Sequence, residues 1–171
     1  MKNQEEKIDL IFNFKDLEAF KEASQKAPPT GWIKSRDLGG SKKSTYVPLA
    51  VQQALADHFF RECDVIQEDY QVIVNEILCT VKLSLLPDFP YAEHRYITGS
   101  ASKPIQMDSQ STPSKFPLNK KENALEYNAP AARSAAISNA LTTFANIFGR
   151  NLGRDVSNDY SIKPKAKEDG N

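Results

Sequence analysis

The sequence predicts an α+β fold: a curled antiparallel β-β-β sheet packed on a long α-helix, with further helices on the N-terminal side. Three observations carry this. Gln71 to Leu85 alternates with period two. Ile73, Ile77, Cys79, Val81, Leu83 and Leu85 are apolar, and Glu76, Thr80, Lys82 and Ser84 lie between them. That is the pattern of a strand with one wet face. Asn128 to Arg154 places Ile137, Leu141, Phe144 and Phe148 at spacings of four, three and four, which gather on one side of a helix. The order of elements leaves a sheet backed by that helix as the natural packing.

Taken in order, Leu10 to Lys26 reads as a first helix. Its stripe is Leu10, Phe14, Leu17 and Phe20, with Asp16 as a local cap and Pro28-Pro29 as its end. Trp32-Ile33 starts a short extended piece, and Gly39-Gly40 opens a Lys/Ser-rich loop. Thr45 to Phe60 reads as a second helix, with Pro48 in its first turn and Val47, Val51, Leu55 and Phe59 every four residues. Asp64-Val65-Ile66 is expected as a short strand, Glu68-Asp69 as a turn, and Gln71–Leu85 as a long strand. Glu93 to Ser100 is the third strand of the meander. Lys103 to Glu122 is rich in Ser, Gln, Pro, Asn and Lys and reads as a long polar loop. In the last helix Pro130 suits the first turn, and Gly149 and Gly153 end it. Asp155 to Asn171 reads as a polar, disordered tail.

That last helix has a second property. No charged residue lies between Arg133 and Arg150, and the side opposite its stripe holds Ser134, Ser138, Thr142, Thr143 and Asn146. A polar face without charge suits contact with a ligand or a neighbouring subunit better than open water.

The 171 residues suit one domain with a real core. Apolar content of 40% and charged content of 26% are ordinary for a soluble protein. The net charge is zero but segregated. Lys34, Arg36, Lys42 and Lys43 crowd the segment before the second helix. Asp57, Glu62, Asp64, Glu68, Asp69 and Glu76 crowd the segment after it. Such a map fits head-to-tail assembly or a local basic site.

Enzyme chemistry finds little support. There is no nucleophile elbow, phosphate-binding glycine loop or paired-histidine metal motif. Cys63 and Cys79 lack metal spacing and are joined by only two histidines, His58 and His94, which suits a reducing compartment. The acids of residues 57–76 are spread over a helix end, a turn and strand faces, so a metal-dependent nuclease is the weakest reading. No catalytic residue, metal or cofactor is expected. The N-terminus has no apolar signal core, and no run reaches membrane-spanning length.

Basic residues beside glycines and on strand faces neutralise nucleic-acid phosphates without reading sequence. The candidates are Lys34, Arg36, Lys42, Lys43, Lys82, Arg95, Arg133 and Arg150. Gly39-Gly40 with Lys42-Lys43 would form a small anion nest. Tyr96 beside Arg95 is the nearest approach to a base-stacking platform.

Three segments in this order resemble the Rad-fifty-two family of single-strand annealing proteins. The first runs through Ile33-Lys34-Ser35-Arg36, Gly39-Gly40, Lys43 and Tyr46-Val47. The second is the meander of residues 63–101, including Thr80 to Leu85 and the Tyr96-Ile97-Thr98-Gly99 ending. The third is the Ala-rich last helix, with Ala131-Ala132, Ala140-Leu141, Phe144, Asn146, Phe148-Gly149 and Gly153. The resemblance covers roughly residues 30–154.

It implies a non-enzymatic protein of recombination or repair that binds single-stranded DNA and anneals complementary strands without ATP. Such proteins form homo-oligomeric rings, with the strand in an outer basic groove. It also implies a phage or bacterial setting, hence the cytoplasm of a bacterium or an infected host, with a nuclease or single-strand-binding protein as a further partner and no membrane. Where the family commonly carries a Lys-Arg pair before the helix's Ala-Leu, this chain has Ser138 and Asn139, with Thr142 beyond. These can hydrogen-bond phosphates but cannot neutralise them. The charge is then expected from Arg36, Lys42, Lys43 and Arg133, or from the lysines of residues 103–121.

The expected division is an N-terminal helix and linker over residues 1–29, an annealing core over 30–154 with a loop at 103–122, and a tail over 155–171. The competing reading is an interaction or assembly module of the same fold with no DNA role.

Overall fold

Asp16 opens the first helix of the computed structural model, which describes residues 14–37, 43–107 and 120–153. Its carboxylate accepts the Ala19 N–H at 2.9 Å, capping α1, Leu17–Gln25. The helix is shorter than the expected Leu10–Lys26: Phe14 lies before it, and residues 1–13 are outside the described set. The face with Phe20 and Ala23 is buried, so α1 belongs to the same core as the sheet.

After a 3-10 turn at Thr30–Trp32, β1 (Lys34–Asp37) pairs antiparallel with β2 (Lys43–Tyr46), Lys34 opposite Tyr46 and Arg36 opposite Ser44. This hairpin corrects the expectation that the helix begins at Thr45. The helix α2, Leu49–Phe59, starts only after Pro48, because a residue before proline is held in extended geometry. The Gly39-Gly40 nest and Lys42 lie outside the described residues.

A three-stranded antiparallel sheet follows, in the order β3-β4-β5. β3 is Phe60–Ile73, β4 is Glu76–Pro87 and β5 is Arg95–Pro104. β4 shows the expected alternation, with Ile77, Cys79, Val81, Leu83 and Leu85 buried. The turn expected at Glu68-Asp69 does not exist. Both residues sit in mid-strand opposite Val81 and Thr80, and the chain reverses at Val74-Asn75, with Val74 at φ 55°. Ile73, expected inside, is exposed beside that turn. Register shifts between Phe60 and Glu62 and between Val65 and Gln67 are the bulges that bend such a strand.

The last helix, α3, spans Ala124–Phe144 with Pro130 inside it. It starts a full turn and more before the expected Asn128. It also stops earlier than expected: Ala145 is extended at φ −155°, a 3-10 turn covers Asn146–Phe148, and Gly149 closes it at φ 99°. α3 packs on β5 and β4. The approach is closest at Gly99, where a Cβ would run into the Ala136 carbonyl and the Ala140 N–H. Ala132, Ala136 and Ala140 are fully buried along that seam, small enough to let helix and strand meet.

The expected stripe also holds. Ile137, Leu141 and Phe148 are buried, and Phe144 packs at the edge of the core. At the end of the sheet where α1, α2 and α3 converge, Phe14, Phe20, Phe59, Phe60, Phe89, Phe144 and Phe148 form one aromatic cluster. Phe20 and Phe59 centroids are 5.7 Å apart, and those of Phe60 and Phe144 are 5.2 Å apart. The edge-on and tilted rings are the favoured arrangements. No helix among the described residues is long and apolar enough to cross a membrane.

Candidate functional site

The chargeless face of α3 is the floor of a groove of about 810 Å³. Ser134, Ser138, Asn139 and Thr142 line it. One wall is the chain from Thr45 through Leu49 into α2, with Arg36 beside it. A second wall is the Phe148–Leu152 segment, and the third is the end of β5 from Ala101 to Lys103. Among the described residues, three that line it, Arg36, Lys103 and Arg150, are cationic and none is acidic. In a protein of zero net charge, that makes the groove a local concentration of positive potential over a polar floor.

Local structure sets each wall. The Arg36 guanidinium sits 5.6 Å from the centre of the Tyr46 ring, a cation–π contact across the β1–β2 hairpin. Tyr46 is itself part of the lining and half exposed. Gly149, in the left-handed region at φ 99°, turns the chain so that Arg150 and Leu152 return to the groove. Asn139 donates to the Ser100 carbonyl at 2.8 Å, tying the floor to β5.

Gln52 joins two walls to the floor. Its side chain is 1% exposed. The Nε2 group donates to Thr142 Oγ1 at 2.9 Å and to the Phe148 carbonyl at 2.8 Å. Its Oε1 has no hydrogen-bond partner among the described residues.

Of the sequence candidates, Arg36, Ser138, Asn139 and Arg150 come together in the groove. Lys34 and Lys43 are exposed on the β1–β2 hairpin outside the lining. Lys82 stands on the other face of the sheet, since its neighbour Val81 faces the core. Its ammonium lies 5.1 Å from the Tyr96 ring. Tyr96 stacks there with His94, centroids 6.5 Å apart, so the suspected stacking residue is also outside the groove. Arg95 lies at the opposite end of β5 from Lys103.

Arg133 points instead to β3, donating to Glu68 at 2.7 Å. Glu68 also accepts from the Tyr70 hydroxyl. The Tyr70 hydrogen bond and then the Arg133 one hold the Glu68 carboxyl below its ordinary value. The same Glu68 contact raises the pKa values of Tyr70 and Arg133.

Compared with known proteins, the chain matches no family model and no curated protein.

Sequence reasoning missed Lys103 as an individual residue, placing it only within a polar loop, although it falls on β5. It also missed Tyr46 and Gln52 as parts of the site. Of the expected polar face, Thr143 turns back to the Ala140 carbonyl at 2.7 Å and Asn146 reaches the Gln25 carbonyl at 3.1 Å, so neither belongs to the floor. Among the described residues no group of three His, Cys, Asp or Glu side chains is placed to hold a metal ion. The acids of residues 57–76 are strung along the end of α2, β3 and the start of β4.

Chemically, the described residues of the groove offer hydrogen-bond donors, three cations and the exposed aromatic ring of Tyr46. It can grip a polyanion by its backbone.

Proposed function

We propose that this chain binds single-stranded DNA along the groove and anneals complementary strands without ATP, as a homo-oligomeric ring acting in recombination or repair. One observation carries the reading: a trough that, among the described residues, has three cations, no acid and a floor of hydroxyls and an amide. Cations neutralise phosphates and release their counterions, while uncharged donors position the backbone without reading sequence. A strand gripped by its phosphates keeps its base edges available to a complement. The resemblance of residues 30–154 to the annealing family leads in the same direction.

Assembly draws on a different surface. β3 is an edge strand that exposes Ile66 at 51%, Val72 at 50% and Ile73 at 52%. A long edge with apolar side chains is a ready template for another chain. The same surface favours the second reading, an assembly module without a DNA role.

One experiment separates them. Fluorescent complementary oligonucleotides are mixed with the protein at low salt, without nucleotide, while particle mass is followed by light scattering. The annealing reading expects accelerated pairing by a particle many times the monomer mass. Arg36→Gln with Lys103→Gln should weaken strand binding and spare assembly. A large particle with no single-strand affinity would leave the assembly module. A monomer that neither binds nor pairs strands would sink both readings.

A further inference from the structure

Gln52 is an expensive residue to keep where it is. A buried carbonyl oxygen without a donor is destabilising, and Gln52 Oε1 has none among the described residues. An apolar side chain of similar volume would fill the site without that penalty. The hydrogen bonds made by Nε2 do not explain the residue by themselves, because the groups it serves can serve each other. Thr142 Oγ1 already lies 3.4 Å from the Phe148 carbonyl and can donate to it.

What Gln52 changes is the direction of one proton. Its amide gives the Phe148 carbonyl a closer donor, at 2.8 Å, and occupies a lone pair of Thr142 Oγ1 at 2.9 Å. The Thr142 hydroxyl has a single proton. With the Phe148 carbonyl served by Gln52 at 2.8 Å, the inward contact left to Thr142 is a long one of 3.4 Å, which holds that proton only weakly. Thr142 lines the groove, so the open direction for its O–H is the trough.

We propose that Gln52 is a positioning residue that turns the Thr142 hydroxyl outward as a hydrogen-bond donor to a phosphate oxygen of the bound strand. This rests on the reading of the groove as a single-strand site. Without Gln52, Thr142 donates to the Phe148 carbonyl, and the floor presents an oxygen lone pair where it had presented a proton.

The test uses the full chain and a fluorescent single-stranded oligonucleotide. Gln52→Met should leave Tm unchanged or higher. It should weaken binding about threefold to tenfold, the ratio given by one hydrogen bond of ordinary net worth. The dependence of affinity on salt should keep its slope, because no charge is removed. Thr142→Val should weaken binding by a similar factor, Thr142→Ser should restore it, and the double variant should bind no worse than either single one.

Equal binding by Gln52→Met and wild type overturns the proposal, as does a double variant whose losses multiply. A Gln52→Met chain that fails to fold overturns it too, since the residue is then needed for stability. Failure of the wild-type chain to bind a single strand would instead overturn the reading on which the proposal rests.

Discussion

The Arg133 guanidinium donates to the Glu68 carboxylate at 2.7 Å, bridging α3 and the edge strand β3. Arg133 therefore serves the far side of the helix from the groove floor. The pair is partly exposed, at 41% and 30% of the side chains, so solvent screening limits its worth to about 1 kcal/mol. Arg133→Ala should lower stability by about that amount in urea titration and leave single-strand affinity unchanged. A large loss of binding would return Arg133 to the site. The same pair gives an acid dependence. The folded-state pKa of Glu68 is depressed by its Tyr70 and Arg133 hydrogen bonds. Its contribution is therefore present above the ordinary carboxylate value and lost as pH falls through the depressed one. Glu68→Gln should flatten stability against pH in that acid window.

Cys63 is half-buried on β3. Burial, then the charges of Asp57 and Asp64, push its pKa up to about 11. Thiolate is the reactive form. Alkylation at pH 8 should run roughly a hundredfold slower than for an unperturbed thiol, because that much less thiolate is present. A rate like that of a free thiol would contradict the environment described.

Gly99 has no room for a side chain, because the backbone of α3 at Ala136 and Ala140 occupies the position of its Cβ. Neither obstacle is a flexible side-chain end. Gly99→Val should separate helix from strand and cost several kcal/mol, on the order of the largest core effects. Thermal unfolding by circular dichroism would read it. A Tm within a few degrees of wild type would mean that the seam can open cheaply.

Three cations line the groove, and each phosphate neutralised on a single strand contributes about −0.7 to the slope of log K against log salt. The slope per protomer should be about −2. Arg150→Gln should make it shallower by about 0.7, and Lys34→Gln should not change it. Fluorescence anisotropy over a salt series measures both. An unchanged slope for Arg150→Gln would place the strand elsewhere.

Much of this architecture is legible in the sequence where one face of an element is wet and the other dry. β4 alternates because it is the central strand, covered by α3 on one face only. The stripe of α3 is legible for the same reason. β3 is not, because its outer half is exposed on both faces and carries Tyr70, Val72 and Ile73 in near succession. With no burial contrast there is no period. Its turn has neither glycine nor proline, only Val74 in a left-handed conformation.

The β1–β2 hairpin is short and almost wholly exposed, so no periodicity marks it. Pro130 misled in another way. It belongs inside α3, although a proline usually marks a first turn. The groove floor could be read as a chargeless face. Its walls could not, since Arg36, Lys103 and Arg150 are far apart in the chain and meet only through tertiary packing.

Among the described residues the groove is bounded by a floor and flanking walls, with no roof. Topologically it is a trough and not a tunnel. A polymer enters a tunnel by an end, whereas it can be laid into a trough at any point along its length. A covalently closed circle of single-stranded DNA should therefore bind as tightly as a linear strand of the same sequence and length. Competition between the two in a filter or anisotropy assay would show it. A strong preference for linear strands would mean that the trough closes over its contents.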